Sequence, residues 1–575
     1  MSYMQSRKGM GFSLLDLLSG FDWNSVGTVV DVGGGHGTTS KDIVGNTAST
    51  RCIVQDLPNV VEGLEEKLPT ELADRITFIG HDFFTEQPVK NADFILHGLG
   101  VVTYNIFFHP LAKFPGPTVR AAFSFPGIYR WWKGNSHRKV QELHEKYGNV
   151  VRIAPDTLSF IGVQAWKDIY GFRPGKSQIP KDYKRFPDEK LLRYTASNDV
   201  DHGRMRKLMA HAFSNTALRE QHPLVANHIN SLINELNART TGHMNVTVDM
   251  SHWLNLLAFD IITDLSFGQP LGAVKSGGRH PYIEDLFMGC RIFPLIPTAW
   301  EYNIVRLLLK AMMAIPYIRR KQEIGYLGAK LKVEKRMAVK QTERKDFMTY
   351  ILRHNDERGM THSEIVGSTT VFVSAGGEST ASAMAGITYY MLRDSAVLEK
   401  AQEEVRMKFR SQGEIIAGPL EKLDYLNAVI EEGLRIYPSN PQTFARRTGA
   451  NVEMVDGHPI PPNTSLGVNP WANNHSASNF ANPDNFAPER WLDDTPKEYR
   501  NDVKAALQSW SMGPRNCMGR NLAYLEMRAT LATLLWAFDM ELCEESRNWA
   551  VDQHLNIVFI RPPLLVKIRP RHIDV

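Results

Sequence analysis

Short apolar runs separated by turn residues characterise the first hundred residues. They predict four strands. The first begins at Thr28, and the other three span Arg51 to Gln55, Ile76 to Ile79 and Asp93 to Leu96. After the first run, the chain reads G-G-G-H-G from Gly33, and a helical pattern begins near Thr38. A strand followed by a glycine-rich turn and a helix is typical of α/β folds. We therefore predict a partial α/β segment over residues 1–100.

The pattern changes at Val101 and becomes mainly helical further along the chain. Phe107 to Pro117 reads F-F-H-P-L-A-K-F-P-G-P, a proline-rich stretch that stops a helix from continuing. Beyond it, the pattern predicts a helix over Arg138 to Tyr147, short strands over Val150 to Ile153 and Thr157 to Ile161, and then mostly helices. A length of 575 residues favours two domains. We predict a hinge over residues 101–120 and a helical domain over 121–575.

One cysteine stands in a distinctive context near the C-terminus. Trp510 to Ala523 reads W-S-M-G-P-R-N-C-M-G-R-N-L-A, which places Cys517 between two glycines and before a helical pattern. Backbone donors and the positive N-terminus of the following helix temper the charge of a thiolate there. A structural cysteine in a turn is the alternative. The arrangement suits a single sulfur ligand to haem iron, with Arg515 near a haem propionate.

This stretch resembles the haem-binding loop of cytochromes P450, whose pattern is F-x-x-G-x-R-x-C-x-G, with Trp510 in place of Phe. The resemblance extends from about Tyr104 to the C-terminus. The chain is similar to the fungal P450s of secondary metabolism. It implies a mainly α P450 fold with small β-sheets and a haem b whose iron binds Cys517.

A long helix with an unusual centre is predicted ahead of this loop. Thr361 and Glu364 form a T-x-x-E capping box, and helical periodicity continues for about thirty residues to Arg393. Its centre, Ala375 to Thr380, reads A-G-G-E-S-T, and each interior glycine costs about 1 kcal/mol against alanine. A dioxygen groove explains the glycines, with Glu378 supplying protons and Ser379 or Thr380 bonding the oxygen. The alternative is a helix-packing notch with hydroxyls bonded to the backbone.

Several basic residues are candidates for binding the haem propionates. His202 and Arg206 lie four residues apart on one helical face, where the family usually has W-x-x-x-R. A solvated basic face is the alternative for this pair. Arg446 in F-A-R-R-T is a further candidate, and Arg447 is its rival.

Three other residues match a structural element of the family. Glu432 and Arg435 lie three apart in E-E-G-L-R-I-Y-P, and Arg490 stands in F-A-P-E-R-W. An isolated Glu–Arg pair is usually a surface salt bridge worth less than about 1 kcal/mol. The resemblance instead implies a buried cluster that holds the segment before Cys517 in place.

The front segment resembles a second family, the S-adenosylmethionine-dependent O-methyltransferases of class I. Its glycine turn contains Gly33 and Gly35, and Asp56 follows the second strand at a spacing suited to the ribose hydroxyls. The resemblance implies that Asp82 also contacts the nucleoside and that His97 occupies the position of the general base. Because the match covers only about residues 12–100 and leaves the acceptor pocket unbuilt, we favour a relic or fused segment over a working methyltransferase.

Composition narrows the range of partners. Lys and Arg number 66 against 62 Asp and Glu, and this small excess gives no reason to expect nucleic acid. Four cysteines without a C-x-x-C pair argue against disulfides and zinc and favour a reducing compartment. No signal peptide opens the chain, and the apolar stretch Phe94 to Phe108 falls short of the roughly 20 residues of a spanning helix. The apolar and basic stretch Phe287 to Ile318 favours peripheral contact with the endoplasmic reticulum membrane.

These observations converge on a haem-thiolate monooxygenase that hydroxylates or epoxidises a small lipophilic metabolite such as a terpenoid or polyketide. The resemblance implies dioxygen as co-substrate and electrons from NADPH through a separate reductase. Three alternatives stay open: a bifunctional P450 and methyltransferase, a P450 fold that isomerises or dehydrates without a reductase, and a front segment that only docks or solubilises.

Overall fold

A computed structural model describes residues 23–32, 34–81, 88–89, 92, 94–95, 101–184, 197–242, 245–292, 294–339, 343–353, 355 and 359–571. The chain divides into two compact units. The front unit comprises Met1–Lys113 with Ala121–Phe123, and the main unit comprises Phe114–Arg120 with Ser124–Val575. This division into units does not test the predicted domain limits at residues 100 and 120, which stay predictions.

The front unit contains a four-stranded parallel sheet in the order β3-β2-β1-β4. Its strands are β1 (Thr28–Val32), β2 (Arg51–Asp56), β3 (Ile76–Gly80) and β4 (Phe94–Ile95). Its helices are α1 (Thr38–Gly45), α2 (Pro58–Val61) and α3 (Thr70–Ala73). Ile43 and Val44 of α1 pack with Val29, Cys52 and Val54 of the sheet. The four predicted strands are confirmed, the fourth over Phe94–Ile95, since Asp93 and Leu96 lie outside the described residues; apolar residues of the other three strands pack in this core.

The main unit is mostly helical. Its helices up to the middle of the chain are α4 (Thr118–Ala122), α5 (Phe125–Trp132), α6 (Ser136–Tyr147), α7 (Val163–Tyr170), α8 (Asp199–Met209), α9 (Asn215–Thr240), α10 (Met250–Phe267), α11 (Ala273–Ser276), α12 (Pro281–Ile292), α13 (Leu295–Glu301) and α14 (Asn303–Ala314). They are followed by α15 (Pro316–Met337), α16 (Phe347–Arg353), α17 (His362–Arg393), α18 (Ser395–Lys408), α19 (Ala417–Leu420), α20 (Asp424–Ile436), α21 (Pro470–Asn474) and α22 (Arg520–Ala537).

Small sheets complete the main unit, as expected for the predicted fold class. The largest has the order β5-β6-β11-β8, and a three-stranded sheet has the order β12-β15-β7. Two hairpins pair β9 with β10 and β13 with β14. The strands are β5 (Val150–Ala154), β6 (Thr157–Phe160), β7 (Val246–Asp249), β8 (Arg446–Arg447), β9 (Glu453–Val455), β10 (His458–Ile460), β11 (Ser465–Val468), β12 (Phe538–Leu542), β13 (His554–Leu555), β14 (Phe559–Ile560) and β15 (Leu565–Pro570). The predicted strands at Val150 and Thr157 are confirmed to within one residue at their ends.

The long helix α17 crosses the centre of the main unit, and its predicted limits are confirmed. Thr361 and Glu364 form both hydrogen bonds of the capping box, and the helix continues for 32 residues to Arg393. Its apolar residues belong to the largest buried cluster, together with those of α10, α20 and α22.

The two glycines inside α17 have a packing explanation. A Cβ atom on Gly376 would lie 2.7 Å from Cδ1 of Ile262, and one on Gly377 would lie 2.6 Å from the ring of Phe259. Both contacts are with α10, which therefore approaches α17 at the glycine pair. The helix is continuous through these positions. The helix-packing alternative therefore explains the glycine pair.

Candidate functional site

A tight loop brings Cys517 to the N-terminus of α22. Gly513 has a φ of 72°, and a Cβ there would lie 1.9 Å from the carbonyl oxygen of Tyr170. Only glycine fits this backbone conformation and this approach. The Cys517 N–H donates to the Trp510 carbonyl at 2.8 Å, which closes the loop before α22 starts at Arg520. The loop thus presents the sulfur at the positive end of an 18-residue helix.

The surroundings of Cys517 act in opposite directions on its thiol. The residue keeps solvent-accessible surface, but protein atoms surround it closely enough that desolvation raises the pKa of the thiol. The backbone N–H groups of Gly519 and Arg520 and the charge of Arg206 oppose this shift. These groups would stabilise a thiolate, the form in which cysteine binds a metal.

Trp510, which stands where the family pattern has Phe, is held by a hydrogen bond that Phe cannot make. Its Nε1–H donates to the Tyr524 hydroxyl at 3.1 Å, and that hydroxyl donates to Oε1 of Glu431 at 2.5 Å. The two rings lie 5.0 Å apart between centroids. The exchange of Phe for Trp therefore ties the loop to α22 and α20.

A pocket separates the loop and α22 from α17. One wall is formed by Ser379, Thr380 and Ala383 of α17, and another by Trp510 of the loop with Ala523 and Met527 of α22. Cys517 itself is not among the lining residues, although it belongs to the same loop as Trp510.

The two candidate hydroxyls of α17 differ in their bonding. The Ser379 Oγ donates to the Ala375 carbonyl at 2.5 Å, the bond to the preceding turn that the packing alternative predicted. Thr380 is 5% exposed and lines the same cavity. Glu378 does not line the cavity but faces the C-terminal part of the chain, where Arg561 binds it in a buried ion pair.

A cluster of basic side chains lies near the loop, and their charges act on one another. Its members are Lys181, His202, Arg206, Arg446 and Arg515. Burial, followed by the charges of Arg515 and Arg446, lowers the pKa of Lys181 to about 7. Burial and the same kind of repulsion lower the pKa of His202 to about 3. Burial also lowers the pKa of Arg446. Such mutual repulsion favours the binding of anions.

Arg515 shows most clearly how an anion would fit this cluster. Its Nη2 donates to Asp199 at 2.8 Å and to the Ser197 carbonyl at 2.7 Å. Its Nη1 is buried and has no hydrogen-bond partner among the described residues. A buried guanidinium nitrogen without an acceptor is costly. The two propionates of a haem would supply acceptors and negative charge, so the residues fit haem.

Arg446 and Lys181 lie side by side at the edge of the largest sheet, joined by an isolated β-bridge. The Arg446 guanidinium lies 5.6 Å from the ring centroid of Tyr170, and its Nη1 donates to the Ile179 carbonyl at 3.3 Å. The sequence analysis did not identify Lys181, because it lies in an irregular segment without a motif or periodicity.

Two other predicted basic residues make protein contacts of a different kind. Arg206 donates through Nη1 to the carbonyl of Asn516 at 2.8 Å and through Nη2 to the side chain of the same residue. It therefore contacts the residue just before Cys517. Arg447, the alternative to Arg446 as a propionate ligand, is paired with both carboxylate oxygens of Asp182 at 2.9 and 3.0 Å. Its charge is therefore already neutralised by a protein carboxylate.

Glu432, Arg435 and Arg490 meet in one fully buried cluster. Glu432 and Arg435 form two hydrogen bonds of 2.8 Å, and the Arg490 Nε lies 3.0 Å from Glu432 Oε1. The Trp491 indole N–H donates to Glu432 Oε2 at 3.0 Å, and Arg490 also pairs with Asp502 at 2.7 Å. Because each charge in the cluster is paired and hydrogen-bonded, the cluster is stable in the protein interior. It fixes the segment that precedes the loop.

In the front unit, the carboxylate of Asp56 is engaged by the backbone. Its Oδ2 accepts the Gly35 N–H at 2.9 Å, and its Oδ1 accepts the Leu57 N–H at 2.8 Å. The side chain is 1% exposed. A ribose would have to compete with these two bonds. The other predicted residues of this unit, Gly33, Asp82 and His97, lie outside the described residues.

A sulfur donor at a helix N-terminus, a pocket beside a long helix and a basic cluster suited to propionates are the arrangement expected of a haem-thiolate protein. Family comparison agrees: the cytochrome P450 family model matches residues 115–568, and an O-methyltransferase domain model matches residues 2–102. The chain belongs to the cytochrome P450 family.

Named fungal P450 monooxygenases are similar over most of their length. The monooxygenase aclL of Aspergillus oryzae is 38% identical over 82% of this chain and 95% of its own. The monooxygenase astA of Talaromyces wortmannii is 38% identical over 81% of this chain and 94% of its own. FUM2 of Gibberella moniliformis is 36% identical over 81% of this chain and 98% of its own.

These similarities establish an oxygen-incorporating oxidoreductase of the P450 monooxygenase class. The family implies a haem, dioxygen, an organic substrate and a redox partner. Within the described part of the chain, no helix combines the length and apolarity needed to span a bilayer.

Proposed function

We propose that this chain is a haem b monooxygenase that hydroxylates or epoxidises a small lipophilic secondary metabolite such as a terpenoid or polyketide. Electrons come from NADPH through a separate reductase. The observation that carries the proposal is the position of Cys517 at the N-terminus of α22, in the loop whose Trp510 lines the same pocket as Ser379 and Thr380 of α17.

Each of the predicted site residues has a distinct task in this mechanism. When bound, the haem would supply dioxygen activation and the oxygen atom that is inserted into a C–H or C=C bond. Cys517 would bind the iron, while Arg515, Arg446 and Lys181, with His202 and Arg206 nearby, would hold the propionates. Thr380 and Ser379 would offer hydroxyls to dioxygen, and Glu378, which lies outside the cavity lining, would supply protons. Glu432, Arg435 and Arg490 hold the segment before the loop.

The sulfur ligand is tested by the spectrum of the reduced protein with carbon monoxide. Wild type should give the absorption of thiolate-ligated haem, and Cys517→Ala should lose both that signal and NADPH-dependent product formation in a host that makes the metabolite. Cys543→Ala, at a buried cysteine on another element, serves as control and should keep the signal. Retention of signal and product in Cys517→Ala would refute the assignment.

An apolar surface supports peripheral attachment to the endoplasmic reticulum membrane. An open apolar groove lies between α5 and the helices α13 and α14, and its lining includes Phe125, Trp132 and Leu308. Leu308 is 62% exposed. The basic Arg306 and Lys310 are exposed on the same helix. Apolar side chains flanked by basic ones suit an anionic lipid surface.

Vesicle binding tests this attachment. Sedimentation with vesicles of phosphatidylcholine and phosphatidylserine should carry down the wild-type protein and less of Leu308→Asp. Leu331→Asp on α15 is the matched control, since Leu331 is also 62% exposed. Equal binding of the two variants would contradict the assignment of this surface.

The reductase-independent alternative has a simple test. The proposed monooxygenase should form no product without NADPH and reductase. Product formation that persists without them would favour isomerisation or dehydration by the same fold.

For the front unit, we propose a folded module that does not act as a methyltransferase. The engagement of Asp56 by Gly35 and Leu57 supports this assignment. The matched O-methyltransferase domain favours a bifunctional enzyme as the second candidate. Calorimetry with S-adenosylmethionine should give no heat with wild type. Heat with wild type that disappears in Asp56→Ala would support the second candidate.

A further inference from the structure

The acid of α17 is held by a residue close to the C-terminus. Arg561 Nη1 lies 2.6 Å from Glu378 Oε1, and Nη2 lies 3.1 Å from Oε2. Both side chains are only 4% exposed. Arg561 Nη2 also donates to Asn255 Oδ1 of α10 at 3.3 Å. The guanidinium therefore fixes the orientation of a carboxylate that lies next to Ser379 in the chain but outside the cavity lining.

Polar groups continue from this ion pair toward the surface. The Tyr437 hydroxyl donates to Gln553 Oε1 at 2.7 Å. Ser382, one helical turn beyond Glu378, lies beside the Tyr437 phenol, and Gly386 a turn further leaves room for that ring. Gln553 is half-buried, and its neighbours Val551 and Asp552 are exposed. The groups thus form a series from solvent to the acid.

Two members of this series have unmet hydrogen-bonding capacity. Ser382 Oγ and Gln553 Nε2 are buried and have no hydrogen-bond partner among the described residues. Buried polar atoms of this kind are normally satisfied by internal water. Water beside Ser382 and Gln553 would extend the series from the Tyr437 hydroxyl toward the surface.

The charges around Glu378 explain why Arg561 is needed. Burial raises the pKa of Glu378, and Arg561 opposes that shift. Tyr437, whose pKa is raised by burial, is the other titratable group that faces the pair, and Asp249 at the start of α10 acts on Arg561. Without Arg561, burial would leave the carboxyl neutral, and no ionic contact would fix its orientation.

We propose that Arg561 is a positioning residue that holds Glu378 near Tyr437, and that Glu378 takes up protons from solvent by way of Tyr437 and Gln553. A proton that leaves Glu378 toward Ser379 and Thr380 leaves a carboxylate, and a proton that enters from the Tyr437 side restores the acid. Only O–H bonds form and break in this exchange, and the electrons are those of the monooxygenase reaction. The inference rests on the proposed proton-supplying role of Glu378.

The first test needs no turnover, so its failure is distinct from failure of the proposed function. Infrared difference spectra of the haem-loaded full chain are compared for wild type, Arg561→Met and the double variant Glu378→Gln/Arg561→Met. At neutral pH, Arg561→Met should gain the C=O band of a protonated carboxyl group, and the double variant should lack it. Absence of the band in Arg561→Met, or its persistence in the double variant, would overturn the proposal.

The second test measures proton supply as NADPH-driven oxygen reduction with a fungal reductase and no organic substrate, in H2O and in D2O. Arg561→Met and Tyr437→Phe should each lower the rate by about tenfold and raise the solvent isotope effect, because general acid catalysis contributes about 10²- to 10⁴-fold. Arg561→Lys keeps the positive charge and should recover most of the rate and the isotope effect of wild type.

Arg336 supplies the matched control, since it forms a buried ion pair with Asp346 at 2.7 Å on other elements. Arg336→Met should lose stability without a change in the isotope effect. The carbon monoxide spectrum verifies that each variant retains its thiolate-ligated haem, and Arg561→Lys serves if Arg561→Met does not fold. An unchanged isotope effect in both Tyr437→Phe and the Arg561 variants, or an equal change in Arg336→Met, would overturn the proposal.

Discussion

Arg490 and Glu432 lie 58 residues apart in the chain and 3.0 Å apart between Nε and Oε1, with both side chains fully buried. The same carboxylate pairs with Arg435. The contact joins α20 to the segment before the loop of Cys517. A helix and a haem-binding loop are thus connected through one buried carboxylate.

Removal of that carboxylate's charge should destabilise the main unit strongly. Glu432→Gln leaves Arg435 and Arg490 buried with an uncompensated charge, and we expect a loss of about 3–5 kcal/mol in the free energy of unfolding. Urea denaturation followed by circular dichroism measures this loss. Lys139→Met, which breaks the more exposed pair with Glu142, is the control and should cost less than about 1 kcal/mol. Similar losses in the two variants would contradict the buried role.

The packing of α17 on α10 predicts a size limit at Gly377. Gly377→Ala brings a Cβ to 2.6 Å from the ring of Phe259, and we expect a loss of about 1–3 kcal/mol from overpacking. Gly413→Ala is the control, because nothing lies within 4 Å of a Cβ there. Phe259→Leu should recover part of the loss when combined with Gly377→Ala, and a double-mutant cycle measures that coupling. Additive effects would argue against the contact.

The lowered pKa of Lys181 predicts a pH dependence. The unfolded chain holds a proton at this residue up to its ordinary pKa of 10.5, whereas the folded residue loses it near 7. Unfolded protein therefore binds more protons between these values, and the unfolding free energy of the haem-free protein should rise with pH across that window. Lys181→Met should remove this part of the pH dependence, as measured by urea denaturation at several pH values.

In the haem-loaded protein, Lys181→Met should weaken haem binding. A propionate beside Lys181 would keep the ammonium charged, so Lys181→Met should speed haem transfer to apomyoglobin. Lys184→Met is a control nearby, since Lys184 is paired with Asp156 and Glu301. Unchanged haem transfer in Lys181→Met would remove the residue from the propionate site.

The indole hydrogen bond of Trp510 predicts a modest effect for the residue that the family pattern has there. Trp510→Phe loses the hydrogen bond to Tyr524, and the free energy of unfolding should fall by about 0.5–1.5 kcal/mol. The carbon monoxide spectrum should be unchanged. Tyr524→Phe should cost more, because it removes the partner of both Trp510 and Glu431. The order of the two losses, measured by urea denaturation, checks the arrangement.

The local features of this protein could be predicted from its amino-acid sequence. The capping box at Thr361 and Glu364, the strands of the front unit and the loop around Cys517 all depend on residues close together in the chain, where periodicity and turn chemistry act. Glu432, Arg435 and Arg490 were identified through motifs that the sequence displays directly.

Contacts between side chains far apart in the chain became visible only in the folded protein. Arg561 reaches Glu378 from 183 residues away, and Lys181 joins Arg446 at a sheet edge. The glycines of α17 face Ile262 and Phe259, a choice between packing and an oxygen groove that the sequence left open. Burial and mutual charge also set the pKa of Lys181 and of Glu378, because desolvation depends on the neighbours that packing supplies.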